Sequence, residues 1–157
     1  MDIAPLMAAS RIINAVIVRS LAAVDASVSV PQLRVLVILS LHDHLNLSGV
    51  ADRLGVNASN ASRTCDQLVK RGLVDRQEDP HDRRNLSLAL ARAGHRLLDD
   101  VMERRAEILS GVVVAMAPED QRALMAALER FNVAAEGLVS DTVPKEASHS
   151  HARWLVH

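Results

Sequence analysis

A mainly α-helical chain interrupted once by a β-hairpin is the fold class that this sequence predicts. Three observations carry the prediction. Apolar residues recur at intervals of three and four through most of the 157 residues. The period drops to two in Leu73–Gln77 and again in Leu86–Leu90. Between those alternating segments lies Glu78-Asp79-Pro80-His81-Asp82-Arg83-Arg84-Asn85, a run of charges and turn formers. With 49% apolar and 24% charged residues the chain can bury a core, which excludes disordered and collagen-like classes.

Leu6, Ile12, Ile13, Val16, Ile17, Leu21 and Val24 draw an apolar stripe along a long first helix that ends before Ser27–Pro31. Pro31 starts a second helix, carried by Leu33, Leu36, Val37, Leu39 and Leu41, which stops at His42-Asp43-His44. A short third helix follows Ser48 as N-cap and closes at Gly55. Asn57 or Ser59 caps a fourth helix running to Arg71, and Gly72 supplies the left-handed residue that ends it. Ala61, Cys65 and Leu68, at i, i+4 and i+7, form its buried stripe and leave Ser59, Asn60, Ser62, Arg63 and Gln67 outward. Short polar side chains on that outer face let the backbone come close to another surface.

Two short helices joined by a glycine-containing turn, the second with such a face, describe a helix-turn-helix. The hairpin directly after it is a wing whose tip arginines suit a narrow minor groove, so the middle of the chain reads as a winged helix-turn-helix. Beyond Gly94 the helical period returns through Leu97, Leu98, Val101, Ile108, Leu109, Val112 and Val113 to Ala117. Pro118, Glu119 and Asp120 open another helix, with Leu124, Met125, Leu128 and Val133 as its stripe, that frays near Gly137–Pro144. The first helix and the last two carry more apolar surface than a winged helix of about 60 residues covers. They are expected to pair across a two-fold axis. The expected division is 1–30, an N-terminal dimerisation helix; 31–92, the winged helix-turn-helix; 93–140, C-terminal dimerisation helices; and 141–157, a flexible tail.

Charge points the same way. The net charge is -1 and the pI about 6.6, so no global basic signature exists. Between Arg53 and Arg96, however, nine basic residues meet five acidic ones, a local net of +4. Sixteen of the 18 cations are arginine, the side chain suited to forked recognition of phosphate and guanine. Genomic base composition can also enrich arginine, so the count carries little weight. Aromatics amount to 1%, Phe131 and Trp154, which removes the base-stacking rings that single-strand and RNA-binding sheets need.

Leu54-Gly55-Val56, Ser59, Ser62-Arg63, Asp66, Leu68, Arg71-Gly72-Leu73-Val74, Arg76, and Asp79-Pro80 with Asp82-Arg83-Arg84 resemble the MarR (multiple antibiotic resistance regulator) family of bacterial transcription factors. The resemblance extends from Leu33 to Leu98, and the flanking helices agree in length and order. It implies a homodimer that occupies a pseudo-palindromic operator in double-stranded DNA, usually as a repressor, and that lets go when a small-molecule inducer or an oxidant binds. By position it places Ser59, Asn60, Ser62, Arg63 and Gln67 in the major groove and Arg83 or Arg84 in the minor groove, with Asp82 bracing the wing through an arginine. The sequence departs from the family at Ala91, where a threonine usually caps the following helix.

Several alternatives stand beside this reading. Cys65 suggests redox sensing, but its inward position and the absence of a second cysteine to resolve a sulfenic acid favour a small core residue. His42 and His44, or His149, His151 and His157 in the tail, have spacings that zinc could use. No HxxxH pair sits on an expected helix, so no metal site is assigned, and no cofactor is expected. Any inducer would be held by aliphatic groups, arginines and methionines such as Met7, Met102, Met116 and Met125, most of them core filler. No Gly-rich phosphate loop, HExxH or GxSxG occurs, which argues against an enzyme. A winged-helix protein-interaction module without DNA binding remains a rival because the whole chain is slightly acidic. Ala15–Val18 is cut by Arg19, and Gly111–Pro118 is flanked by polar residues, so neither approaches the roughly 18 to 20 residues that span a bilayer. No basic N-terminus with an apolar run suggests a signal peptide, so a soluble cytoplasmic chain without membrane contact is expected.

Overall fold

The computed structural model describes residues 1–42, 44–78 and 86–139, without the side chains of 136–139. It divides into two compact units, Met1–Arg104 and the chain from Arg105 onward. The first unit holds helices α1 (Ala4–Asp25), α2 (Val30–Leu41), α3 (Leu47–Leu54) and α4 (Ala58–Lys70), with strands β1 (Leu45–Asn46), β2 (Val74–Glu78) and β3 (Leu86–Leu90). Helix α5 (Arg92–Val114) begins there and ends in the second unit, which also holds α6 (Pro118–Val139). The mainly α architecture with one small sheet agrees with the sequence expectation.

Helix ends follow local chemistry. The Ser29 hydroxyl accepts from the Gln32 N–H, and the Gln32 side chain accepts from the Ser29 N–H, a reciprocal capping box that starts α2 one residue ahead of the expected Pro31. The expected Ser48 cap of α3 is incorrect. Asn46 accepts from the Gly49 N–H at 2.8 Å and begins the helix at Leu47, because an Asn in extended backbone reaches the third N–H ahead of it. Gly55 ends α3 at φ +67°, where its N–H and that of Val56 close on the Asp52 and Ala51 carbonyls. Of the two candidates for α4, Asn57 is the cap, accepting from the Asn60 N–H at 2.9 Å.

The sheet has the order β1-β3-β2 and is antiparallel throughout. Val74 pairs with Leu90 and Glu78 with Leu86, so the wing strand starts one residue later than the alternation suggests. β1 was not expected, since two residues are too few to display a period. Its Leu45 pairs with Leu88.

The core of the first unit gathers Leu21, Leu33, Leu36, Leu39, Val50, Leu54, Cys65, Leu68, Val74, Leu88, Leu98 and Val101. Helix α1 enters it only through its C-terminal half, where Val16, Ser20 and Leu21 are buried. Leu6, Met7, Ile12 and Ile13 stay about half exposed, so the apolar stripe faces outward over most of its length. Unbroken apolar runs do not disclose a further property of this helix. It is 22 residues long, and an 18-residue window has a mean hydropathy of 1.5 despite its arginines, enough by length and composition to cross a membrane. Val16, Ser20 and Leu21 are its buried residues, and 17% of that window is buried within the unit.

Candidate nucleic-acid interface

Helix α4 is anchored from three directions. Ala61, Cys65 and Leu68 are fully buried, which turns the opposite face outward as the spacing requires. At its C-terminal end the Arg71 guanidinium donates to Asp25 at 2.6 Å, to the Ser27 carbonyl at 3.0 Å and to the Ser27 hydroxyl at 2.8 Å. This ties the end of the helix to the α1–α2 connection. Asp25 also accepts from the Ser27 hydroxyl and N–H, and these bonds, with the Arg71 charge, hold its carboxyl below the usual carboxylate range. On the other side Asp66 pairs with Arg76 of β2, and the Ser62 hydroxyl approaches Asp66 at 3.5 Å.

The outer face of α4 forms an open groove with Leu47, lined by Ala58, Ser59, Ser62, Arg63, Asp66, Gln67 and Lys70. Of the five expected groove residues, Ser59, Asn60, Arg63 and Gln67 are exposed, while Ser62 is half-buried beside Asp66. Arg63 makes no hydrogen bond or ion pair among the described residues, so its five donors are available. Gln67 differs: its Oε1 accepts from Gln32 Nε2 at 3.0 Å. Thr64 donates to the Asn60 carbonyl one turn back.

Asp82, Arg83 and Arg84, expected at the wing tip, lie outside the described residues. So do Asp43 and the tail histidines. His42 is half-buried, and His44 is exposed at φ +60°. No group of three metal-binding side chains converges among the described residues. Cys65 is fully buried, and burial, reinforced by the neighbouring Asp66 charge, pushes its thiol up to about 11. At neutral pH the thiolate is then on the order of one part in ten thousand, the opposite of a redox sensor. Within the second unit a shallow pocket is lined by Val113, Gln121, Arg122, Met125, Ala126 and Glu129.

The sequence reading left three contributors unassigned. Lys70 extends the cationic face by two turns from Arg63. Asp66 and Arg76, ten residues apart, brace helix against wing, a link that helical spacing alone does not reveal. Gln32 has a sequence signal, the Ser-x-x-Gln spacing of a capping box with Ser29.

A model of the MarR family matches residues 26–85, the span from the α1–α2 connection through β2 to the residue before β3. The RV1404 protein of Mycobacterium tuberculosis, a solved structure, superimposes with a TM-score of 0.75 at 39% identity over 83% of this chain and 89% of that one. This chain belongs to the MarR family. Two further relatives are regulators by name. The helix-turn-helix-type transcriptional regulator YfiV of Bacillus subtilis is 29% identical over 108 residues, 69% of this chain and 68% of that protein. The transcriptional repressor MprA of Escherichia coli is 45% identical over 49 residues, 31% of this chain and 28% of the repressor. MarR proteins are transcriptional regulators with a winged-helix DNA-binding fold, typically homodimeric and ligand-responsive, and the relatives are not enzymes.

Proposed function

We propose that this MarR protein is a homodimeric, sequence-specific regulator that binds double-stranded DNA and acts as a ligand-responsive repressor in the cytoplasm. Helix α4 enters the major groove of each half of a pseudo-palindromic operator, with Ser59, Asn60, Ser62, Arg63 and Gln67 toward the bases. The wing tip, with Arg83 or Arg84, reaches the adjacent minor groove, and Asp82 supports it. One observation carries the reading: Arg63 stands unengaged, among the described residues, on the exposed polar face of a helix whose other sides are anchored. A guanidinium left free in that position suits the two acceptors of guanine. Lys70 and Arg63 on this face supply local positive charge to a chain whose net charge is -1.

Dimerisation supports and completes the assignment. The half-exposed Leu6, Met7, Ile12 and Ile13 of α1 form an apolar surface that a second copy would cover. In this arrangement residues 1–30 and 93–140 join the two copies and 31–92 binds DNA.

The test is fluorescence anisotropy with duplex from upstream of the protein's own gene, with nonspecific duplex as competitor and salt titrated. Competitor-resistant binding that weakens steeply with salt is expected, as counterions are released from several phosphates. Equal affinity for both duplexes at low salt would reject the reading in favour of a protein-interaction role.

A further inference from the structure

A backbone donor fixes which way round two glutamine amides sit. At the start of α2 the Ser29 N–H donates to Gln32 Oε1 at 2.8 Å. A backbone N–H can only donate, so the opposite end of the Gln32 amide must be its NH2 group. That Nε2 donates to Gln67 Oε1 at 3.0 Å across 35 residues of sequence. Gln32 is only 7% exposed, so neither end of its amide is free to turn toward solvent without breaking a partly buried bond. The acceptor end of Gln67 is thereby oriented toward Gln32. Its Nε2, without a partner among the described residues, is the end left over on the outer face of α4 beside Arg63, Asp66 and Lys70.

We infer that Gln32, which does not reach the outer face, sets the base preference of Gln67. This inference rests on the DNA-binding reading above. A free glutamine amide pairs with adenine through two bonds, one donated to N7 and one accepted from the N6 amino group. The Gln67 oxygen is held toward Gln32, so the accepting half of that pairing is turned away from the outer face. Held as a donor, it selects a base edge made of acceptors, guanine first, whose N7 and O6 are both acceptors. Gln32 is thus a positioning residue, and the polarity of one N–H at a helix start is passed through two amides to the DNA-facing surface.

The experiment enriches full-length protein's preferred sites from a randomised duplex pool. Loss of one guanine preference in Gln67→Ala locates the base pair concerned. Gln32→Glu then offers Ser29 one carboxylate oxygen and Gln67 the other. Gln67 must donate inward and turn its oxygen outward, so preference at that one base pair moves to adenine or cytosine, by about threefold to tenfold, the worth of one hydrogen bond. Because Gln32→Glu places a charge in a buried position, Gln67→Glu serves as the second variant: one oxygen keeps the bond from Gln32, and the other presents an acceptor with the same shift in preference. A third readout needs no DNA. In the free protein, Gln32→Ala should move the side-chain carbonyl and amide NMR resonances of Gln67. Guanine retained by both glutamate variants overturns the inference, as do Gln67 resonances indifferent to Gln32. If the wild type enriches no sequence while those resonances still respond, the DNA-binding reading has failed and the base preference falls with it, although the amide relay is intact.

Discussion

The carbonyl oxygen of Leu73 occupies the place where a side chain at Gly94 would go: a methyl built on Gly94 would collide with it and stand 2.8 Å from a methyl of Leu90. The same carbonyl accepts from the Ala91 N–H at 3.1 Å. The turn that ends α4 is therefore clamped to the first turn of α5, and the wing leaves and returns between them. Ala91 has no side-chain acceptor to cap α5, and this backbone contact joins the start of the helix to the end of α4. Gly94→Ala is expected to cost about 3 kcal/mol or more, because the obstructing atom is backbone and cannot swing aside. Gly111→Ala in the same helix meets nothing within 4 Å and should stabilise by about 0.5 to 1 kcal/mol through helix propensity. Urea unfolding of both variants checks the contrast, and equal effects would refute it.

Asp25 and Arg71 give the stability a pH signature. A carboxyl held below its unfolded value stabilises the fold at every pH above that value, and the contribution vanishes as pH falls through the folded value. Asp25 is in this class, through its bonds from Ser27 and the Arg71 charge. Both partners of the ion pair keep 29% of their side-chain surface exposed, which limits the pair to less than about 1 kcal/mol. Asp25→Asn should accordingly be slightly less stable than the parent at pH 7 and converge on it below about pH 3. Thermal melts across that range would show the gap closing. A gap that persists in acid would mean the charge is irrelevant.

Much of this geometry was legible because each element carries its own period or punctuation. The stripe of Ala61, Cys65 and Leu68 turned the right face of α4 outward, and Gly55 and Gly72 both take the positive φ their positions called for. The errors fall where two signals compete or a signal is too short. Asn46 and Ser48 are both good caps, and the bond from the Gly49 N–H to the Asn46 side chain shows which one is used. β1 itself is two residues long. Which groups on α4 are free was illegible, because Asp66–Arg76 and Gln32–Gln67 are contacts between elements and periodicity reports only one element at a time.

Cys65 is expected to be chemically silent. Its fully buried thiol, pushed up to about 11, exposes neither the atom nor the thiolate that oxidants attack. Native protein should react with a thiol-specific disulfide reagent only at the rate of unfolding, and peroxide should leave DNA binding unchanged. Cys65→Ser should cost about 1 to 3 kcal/mol, since a hydroxyl placed among Val50, Leu54 and Leu68 of the same core must find a new partner. Rapid labelling of folded protein would reverse this conclusion.

Arg63 and Arg84 separate reading from holding. Arg63 sits on the exposed face of α4 with no partner among the described residues, so its truncation breaks no described bond and stability should change by less than about 0.5 kcal/mol. On the preferred site the loss should be about 1 to 3 kcal/mol, the discrimination of a bidentate arginine–guanine pair, with nonspecific affinity much less affected. Arg84, proposed for the minor groove at the wing tip, acts chiefly through charge. Arg84→Ala should weaken binding to all duplexes by a similar factor and reduce the slope of log affinity against log salt by about one. Anisotropy titrations of both variants on specific and nonspecific duplex, each at several salt concentrations, separate the two behaviours. If Arg63→Ala lowered both affinities equally and flattened the salt slope, Arg63 would be a phosphate contact, and base reading on α4 would have to pass to Asn60 and Gln67.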